Sequence, residues 1–258
     1  VTIALGEAAR ADGFTLVHLP SVGSTNHEAM MLDRSDRIWI VADEQTSGRG
    51  RRGRDWVSPR GNLYASLRLE EAAPARSVAQ LCFVAAVALS DAVERVAPAS
   101  AASLRLKWPN DLLVDGAKVA GILVEGSHGP SGLVTVVGCG VNVASHPSDT
   151  PYPATALVMR DNGVDARALF EALSDRFAAR IAEWARGERF STIRDAWLQR
   201  AAGLGAPIVV RLPDGDISGR FEALDEDGRL ILADGGQRRA ISAGEVFLSA
   251  HSRTSGGT

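Results

Sequence analysis

Two periodicities run through the chain. Residues 14–19, 38–42, 63–69, 112–114, 119–124 and 133–143 form short apolar runs of strand length, whereas 78–96 and 166–185 repeat their apolar positions at helical spacing. In the second helical stretch Leu169, Leu173, Phe177, Ile181 and Trp184 fall on one stripe, the face that a helix turns to a core. Asp115-Gly116, between two apolar runs, tolerates the positive φ angles of a tight hairpin turn, so Lys118 is expected to start the returning strand. Beyond a helical stretch ending near Gly203 the pattern changes to five strand-like runs, 208–212, 217–224, 230–233, 238–241 and 246–248. Asp214-Gly215, Asp227-Gly228 and Asp234-Gly235-Gly236 separate most of them. The expected fold is α/β (α+β), with a larger domain over residues 1–202, a β-barrel of SH3-like size over 203–250, and a frayed tail over 251–258.

Composition narrows the class. At 258 residues, 45% of them apolar, the chain can bury one sizeable core and a small satellite without disulfides or metals. It holds no unbroken apolar run of the roughly 18 residues that a membrane span needs, and its start lacks the basic-then-apolar order of a signal peptide. A soluble, cytoplasmic protein is expected. The net charge of −3 gives no global reason to expect nucleic acid. Cys82 sits among apolar residues and Cys139 between two glycines, with no C-x-x-C, so both read as reduced and structural. His18, His27, His128, His146 and His251 fall in no metal-ligand spacing, and no Ser/His/Asp or Cys/His nucleophile arrangement is suggested.

Four segments carry chemistry. Gly48-Arg49-Gly50-Arg51-Arg52-Gly53-Arg54 sets four arginines and three glycines into seven residues, with Asp55 and Trp56 behind them. Glycines let a backbone approach phosphates, and arginines supply forked permanent charges. A polyanionic ligand, a solvated basic loop and an RNA-binding tract all remain open on this segment alone. Lys107-Trp108-Pro109-Asn110-Asp111 holds a lysine and an amide–carboxylate pair at a strand end; it suits a nucleotide triphosphate with Mg²⁺ near the carboxylate, or a plain turn with a surface ion pair. Ser24-Thr25-Asn26-His27-Glu28 opens a helix, and Thr25 with Glu28 makes a capping-box pattern. That pattern leaves Ser24 and Asn26 unexplained, at the positive end of the helix where a ligand's carbonyl or ureido group could be met. Gly138-Cys139-Gly140-Val141-Asn142 ends a strand with two glycines, which permits a ligand to lie close to the backbone.

Taken in order, Ser24-Thr25-Asn26, the run Glu44-Gln45-Thr46-Ser47 through the arginine-glycine loop to Trp56, Lys107-Trp108-Pro109-Asn110-Asp111, Lys118-Val119-Ala120-Gly121-Ile122-Leu123 and Gly138-x-Gly140-Val141-Asn142 resemble the biotin protein ligase family. The resemblance is strong from about Ser21 to Val143. It implies a mixed-sheet catalytic domain of the biotin/lipoate ligase type followed by an SH3-like domain. The implied activity is ATP-dependent conversion of biotin to biotinyl-5'-AMP and transfer of biotin to a lysine of a biotin carboxyl carrier protein or carrier domain, with ATP and Mg²⁺ required. It also implies that Ser24, Thr25, Asn26, Gln45, Gly48, Arg49, Gly50, Arg51 and Lys118 contact biotin or the adenylate. Lys118, Arg51 and Arg49 would be the catalytic groups. On the nucleotide side it sets Arg51, Arg54, Trp56, Lys107, Asn110 and Asn142, with Asp111 toward Mg²⁺, and it makes the arginine loop a mobile cover that orders over the ligand. From the residues alone Lys118 is a solvated lysine after a turn; only the resemblance assigns it to the ligand.

One departure shapes the expectation further. The Ser-Thr-Asn segment starts at residue 24, which leaves no room for the roughly 60 residues of a winged-helix DNA-binding domain. A monofunctional ligase without DNA or membrane partners is expected, and a sheet-edge homodimer follows from the resemblance alone. The rivals are a lipoate or other acyl–protein ligase and, in another class, a nucleic-acid module using Arg49 to Arg54.

Overall fold

A computed structural model describes residues 3–33, 36–70, 73–129 and 132–248. The tail at 251–258, expected to be frayed, lies outside the described residues. The chain opens with helix α1 (Glu7–Ala11), strand β1 (Thr15–Leu19), helix α2 (Thr25–Met31) and strands β2 (Ile38–Ala42) and β3 (Leu63–Glu70). Helix α3 (Leu81–Val96) and a helical turn α4 (Pro98–Ala101) lead to strands β4 (Leu104–Lys107), β5 (Asp111–Val114), β6 (Ala117–Gly129) and β7 (Gly132–Val141). After helices α5 (Ala166–Trp184) and α6 (Phe190–Leu198) come β8 (Pro207–Leu212), β9 (Gly215–Leu224), β10 (Leu230–Asp234), β11 (Gln237–Ile241) and β12 (Glu245–Leu248).

Seven strands form one mixed sheet in the order β1-β2-β3-β7-β6-β5-β4. Only β1 and β2 run parallel; the other neighbours are antiparallel. The last five strands form a separate antiparallel sheet, β11-β10-β9-β8-β12, which is the expected SH3-like module. Asp115 and Gly116 make the expected turn between β5 and β6, both at positive φ (53° and 77°). Strand β4 and helix α1 were not foreseen, because four or five residues are too few to display a period.

Helices α3 and α5 pack on the large sheet, α6 packs against them and against β9 of the second sheet, and α2 packs on β2, β3 and β7. Trp39 of β2 meets Phe170 and Phe177 of α5 edge-on, with centroids 5.5 Å away in each case. The predicted α5 stripe is buried except at Ile181, which is partly so. The stretch Ser77–Val96 has a mean hydropathy of 1.5, enough for a membrane span by composition, yet it is 72% buried inside the protein. It is the central core helix, apolar on nearly every side because protein surrounds it.

The two sheets share a seam. Trp197 of α6 stacks edgewise against Phe83 of α3 and Phe221 of β9, with centroids at 5.6 and 6.4 Å. Trp108 of the β4–β5 turn donates its indole N–H to the Gly228 carbonyl at 3.1 Å. These contacts fix the second sheet beside the turn that carries Lys107, Asn110 and Asp111. Trp197→Ala should therefore cost about 3–5 kcal/mol, as large-to-small core substitutions do, read as a lowered urea midpoint at unchanged m-value. A loss below about 1 kcal/mol would show that the seam tolerates a cavity that close packing forbids.

Candidate active site

The site begins with bare backbone. On the face of the sheet beneath α2, an added Cβ at Gly138 of β7 would lie 2.1 Å from Asn26 Oδ1, and one at Gly140 would lie 2.6 Å from the Trp56 indole nitrogen. Only glycine lets the amide and the indole rest on the strand. Trp56 covers Gly121 of β6 as well, at 3.3 Å from its added Cβ. The expected close approach at this strand is thus real, and protein side chains already occupy part of it.

Helix α2 starts differently from the expected capping box. Ser24 is the N-cap and makes no side-chain capping bond; Glu28 returns only its backbone N–H to the Ser24 carbonyl. The side chain of Gln45 does the capping from another segment, its Oε1 accepting the Thr25 N–H at 2.8 Å and lying 3.0 Å from Thr25 Oγ1. Gln45 is fixed in turn, since its amide donates to Ser58 Oγ at 2.9 Å and Ser58 donates to the Trp56 carbonyl at 2.8 Å.

Below α2 stands Ser66 of β3, fully buried, with Oγ 2.7 Å from Thr25 Oγ1 and 2.6 Å from Asn26 Oδ1. Asn26 turns its amide nitrogen to Glu125 Oε2 at 2.7 Å. A proton count follows from these distances. Three short oxygen–oxygen contacts, Asn26–Ser66, Ser66–Thr25 and Thr25–Gln45, share only two hydroxyl protons. The pocket around Thr25 is therefore rich in acceptors and suits a ligand that brings N–H groups.

The arginine-glycine segment is a small hairpin. Trp56 N–H donates to the Gly48 carbonyl at 2.9 Å and Gly50 N–H to the Arg54 carbonyl at 2.7 Å. Three of its arginines go to different neighbours. Arg51 turns inward to Asn110 Oδ1 at 3.2 Å, where burial pulls its guanidinium below the ordinary arginine range. Arg54 grips the Glu245 carboxylate of β12 with two bonds, 3.0 and 2.8 Å; that bond raises Arg54 and lowers Glu245 from their ordinary values. Arg49 lies 3.9 Å from Glu125.

Across the cleft, Asp111 holds two lysines, Lys118 Nζ at 2.6 Å and Lys107 Nζ at 3.1 Å, with all three side chains no more than 15% exposed. Tyr152 and Trp56 flank the Lys118 ammonium at 5.2 and 5.4 Å from their ring centres. Asp111 thus orders the lysines, and among the described residues no group of three or more His, Cys, Asp or Glu side chains could hold a metal ion. The Trp108–Pro109 peptide in this turn is cis.

Of the residues singled out in the sequence, Ser24, Thr25, Asn26, Gln45, Arg49, Gly50, Arg51, Arg54, Trp56, Lys107, Asn110, Asp111 and Lys118 all line one cleft. Gly48 lies just behind it, against the Trp56 carbonyl. Asn142 does not reach it: this buried amide donates to the Thr155 carbonyl at 3.1 Å, and its neighbours Pro153 and Thr155 bracket the Lys118 backbone. Ser66, Glu125, Tyr152 and Glu245 were missed. Each sits in an ordinary strand or loop context; only the folded pairing brings Tyr152 and Glu245 into the cleft and Ser66 and Glu125 against the residues that line it.

The free space amounts to about 90 Å³, against the roughly 300–1,000 Å³ of a typical small-molecule pocket. Neither cysteine is presented as a thiolate, because burial pushes both the Cys82 and Cys139 thiols up to about 12.

Six cationic side chains around an acceptor-rich pocket, beside a mixed sheet with an SH3-like module, define the biotin and lipoate ligase class. Residues 21–142 match the Biotin/lipoate A/B protein ligase family and residues 203–249 the Biotin protein ligase C terminal domain. Over 243 residues the chain is 43% identical to the biotin--[acetyl-CoA-carboxylase] ligase of Paracoccus denitrificans, spanning 89% of this chain and 99% of that protein. It is 32% identical over 234 residues to the protein of the same name from Mycobacterium tuberculosis, spanning 87% and 85%. The solved biotin protein ligase from Aquifex aeolicus in complex with biotin and ATP superposes with a TM-score of 0.78 at 28% identity, covering 90% of this chain and 97% of that one. The chain belongs to the biotin protein ligase family.

The thiol environment gives a direct check. With both thiols raised to about 12, iodoacetamide at pH 8 should leave Cys82 and Cys139 unmodified in the native protein and alkylate both after guanidinium unfolding. Fast labelling of either one in the native state would show a reactive thiol that burial fails to suppress.

Proposed function

We propose that the protein is an ATP-dependent biotin–protein ligase that forms biotinyl-5'-AMP and passes biotin to the acceptor lysine of a biotin carboxyl carrier domain. One observation carries the reading: an acceptor-rich pocket at Thr25 and Gln45 opens into a cluster of Arg51, Lys107 and Lys118 within a single cleft. The first suits the two N–H groups of a ureido ring, and the second suits a carboxylate meeting a triphosphate.

Ser24, Thr25, Asn26 and Gln45 would hold the ring, with Gly48, Arg49 and Gly50 closing over it. Arg51, Arg54, Trp56, Lys107 and Asn110 would face the nucleotide, and Asn142 would support that side through the segment flanking Lys118. In the first step a biotin carboxylate oxygen attacks the α-phosphorus, and the bond to pyrophosphate breaks. Lys118, Arg51 and Arg49 would stabilise the charge spread over the phosphoryl oxygens, each charge-assisted donor contributing roughly 2–4 kcal/mol in a dry site. In the second step the carrier's lysine amine attacks the acyl carbon; AMP leaves, and the nitrogen gives up its proton. Mg²⁺ belongs to this reading as part of the nucleotide substrate, taking most of its ligands from phosphates and water, with Asp111 the nearest carboxylate. We place the catalytic unit at residues 1–202, the SH3-like unit at 203–250 and the protein in the cytoplasm, where ATP and reduced thiols belong. A homodimer is part of the proposal: beyond Gly121 strand β6 pairs only with β7 among the described residues, an edge open to a second sheet.

Incubation with biotin, Mg²⁺ and α-labelled ATP, without carrier, should yield protein-retained biotinyl adenylate, and Lys118→Ala should lower its rate of formation by about 10²- to 10³-fold. An adenylate formed only with lipoate or octanoate would overturn the substrate assignment, and none with any acid would overturn the activity. Amide exchange over residues 47–55 should slow on adding biotin and ATP. Equal exchange in the two states would remove the covering role of the hairpin.

A further inference from the structure

We propose that Ser66 and Glu125 are positioning residues that couple ligand capture at the start of α2 to closure of the arginine-glycine hairpin. The inference rests on the biotin ligase reading above. Neither residue lines the cleft, yet both belong to one unbroken chain of polar contacts. It runs from the Trp56 carbonyl through Ser58, Gln45, Thr25, Ser66 and Asn26 to Glu125, in steps of 2.6–3.0 Å. Glu125 then faces Arg49 with its other oxygen at 3.9 Å. Trp56 and Arg49 are the two stems of the hairpin, so both of its ends terminate on the same network, and Thr25 sits in the middle of it.

The missing proton gives the network a direction. Without a ligand, one of the three oxygen contacts around Ser66 and Thr25 sets lone pair against lone pair. A ligand N–H given to Gln45 or Thr25 takes the place of the Thr25 hydroxyl there. Thr25 can then donate to Ser66, and Ser66 to Asn26 Oδ1. With its carbonyl satisfied, Asn26 is held with its amide on Glu125, and the remaining Glu125 oxygen is presented to Arg49. Ligand capture thereby tightens the stem of the cover. A buried network that lacks one donor is the kind that a ligand completes.

The two residues should fail differently. Glu125→Gln keeps an acceptor for Asn26 and loses the charge that holds Arg49. Preformed biotinyl-5'-AMP should leave this variant about fivefold faster or more, with the KM for biotin unchanged. Raising ionic strength should speed release more from the wild type than from Glu125→Gln, because in the variant one of the screened interactions is already gone. Ser66→Ala should raise the KM for biotin about fivefold or more with little change in kcat for adenylation, and should abolish the slowing of amide exchange at residues 47–55 on biotin binding. Should Ser66→Ala not fold, Ser66→Cys, close in volume and a weak donor, is expected to shift KM the same way. Variants that lose thermal stability while KM, adenylate release and exchange stay at wild-type values would overturn the proposal. A wild type that forms no adenylate from biotin would instead strike the functional reading, a separate and prior failure.

Discussion

An indole and an amide lying on the bare backbone of β7 are the contact on which the rest of the site depends. Trp56 occupies the space a side chain would take at Gly140, and Asn26 the space at Gly138. Each anchors a larger piece, Trp56 the end of the arginine hairpin and Asn26 the first turn of α2. Any Cβ at these positions would lift both pieces off the sheet by more than a hydrogen bond tolerates. The distances that join Gln45, Thr25 and Ser66 would then be lost together. This is also why the strand could be read as a place of close approach without revealing what approaches it.

Electrostatics explains how so many cations can surround a cleft that must exist before its ligand arrives. Five of the six are held by a neighbour that is not substrate: Lys107 and Lys118 by Asp111, Arg54 by Glu245, Arg51 by the Asn110 carbonyl, and Arg49 loosely by Glu125. Lys118 and Asp111 are nearly out of water, so removing either partner would leave an uncompensated buried charge. The Arg54–Glu245 pair is half exposed and worth little by itself. It does, however, join the hairpin to the second sheet, so the C-terminal module takes part in holding the cover and is more than an appendage.

Much of this was legible in the sequence because long or chemically extreme segments announce themselves. The α5 stripe, the Asp115-Gly116 turn and the alternation of the last five strands each rest on a local rule, and each appears in the structure within a few residues. The arginine-glycine run and Lys107 to Asp111 were conspicuous by composition. What stayed hidden was pairing across the fold. Thr25 and Glu28 obey a local capping rule, yet Gln45, twenty residues on, supplies the cap, because the helix start is buried against a loop that only tertiary packing brings there. Ser66 looks like any small polar residue in a strand. It matters because β3 is covered on both faces, so its hydroxyl has nowhere to go but to Thr25 and Asn26. Asn142 shows the opposite error: a residue conspicuous at a strand end spends its amide on the backbone of the segment flanking Lys118.

Activation by a nucleotide constrains how such a site can work. Burial holds both thiols protonated, so neither cysteine would carry an acyl group, and in the proposed reaction activation falls to the nucleotide. A mixed anhydride of carboxylate and phosphate is open to water, so a cleft that makes one by electrostatics must also exclude solvent for as long as it is held. The hairpin meets that demand in a particular way. Its arginines are the groups that would neutralise the phosphoryl charge, and its stems rest on the network that grips the ring. On the proposed reading, charge stabilisation and exclusion of water would fall to the hairpin and ligand recognition to the network at its stems, so loss of the ligand's N–H groups would release all three together.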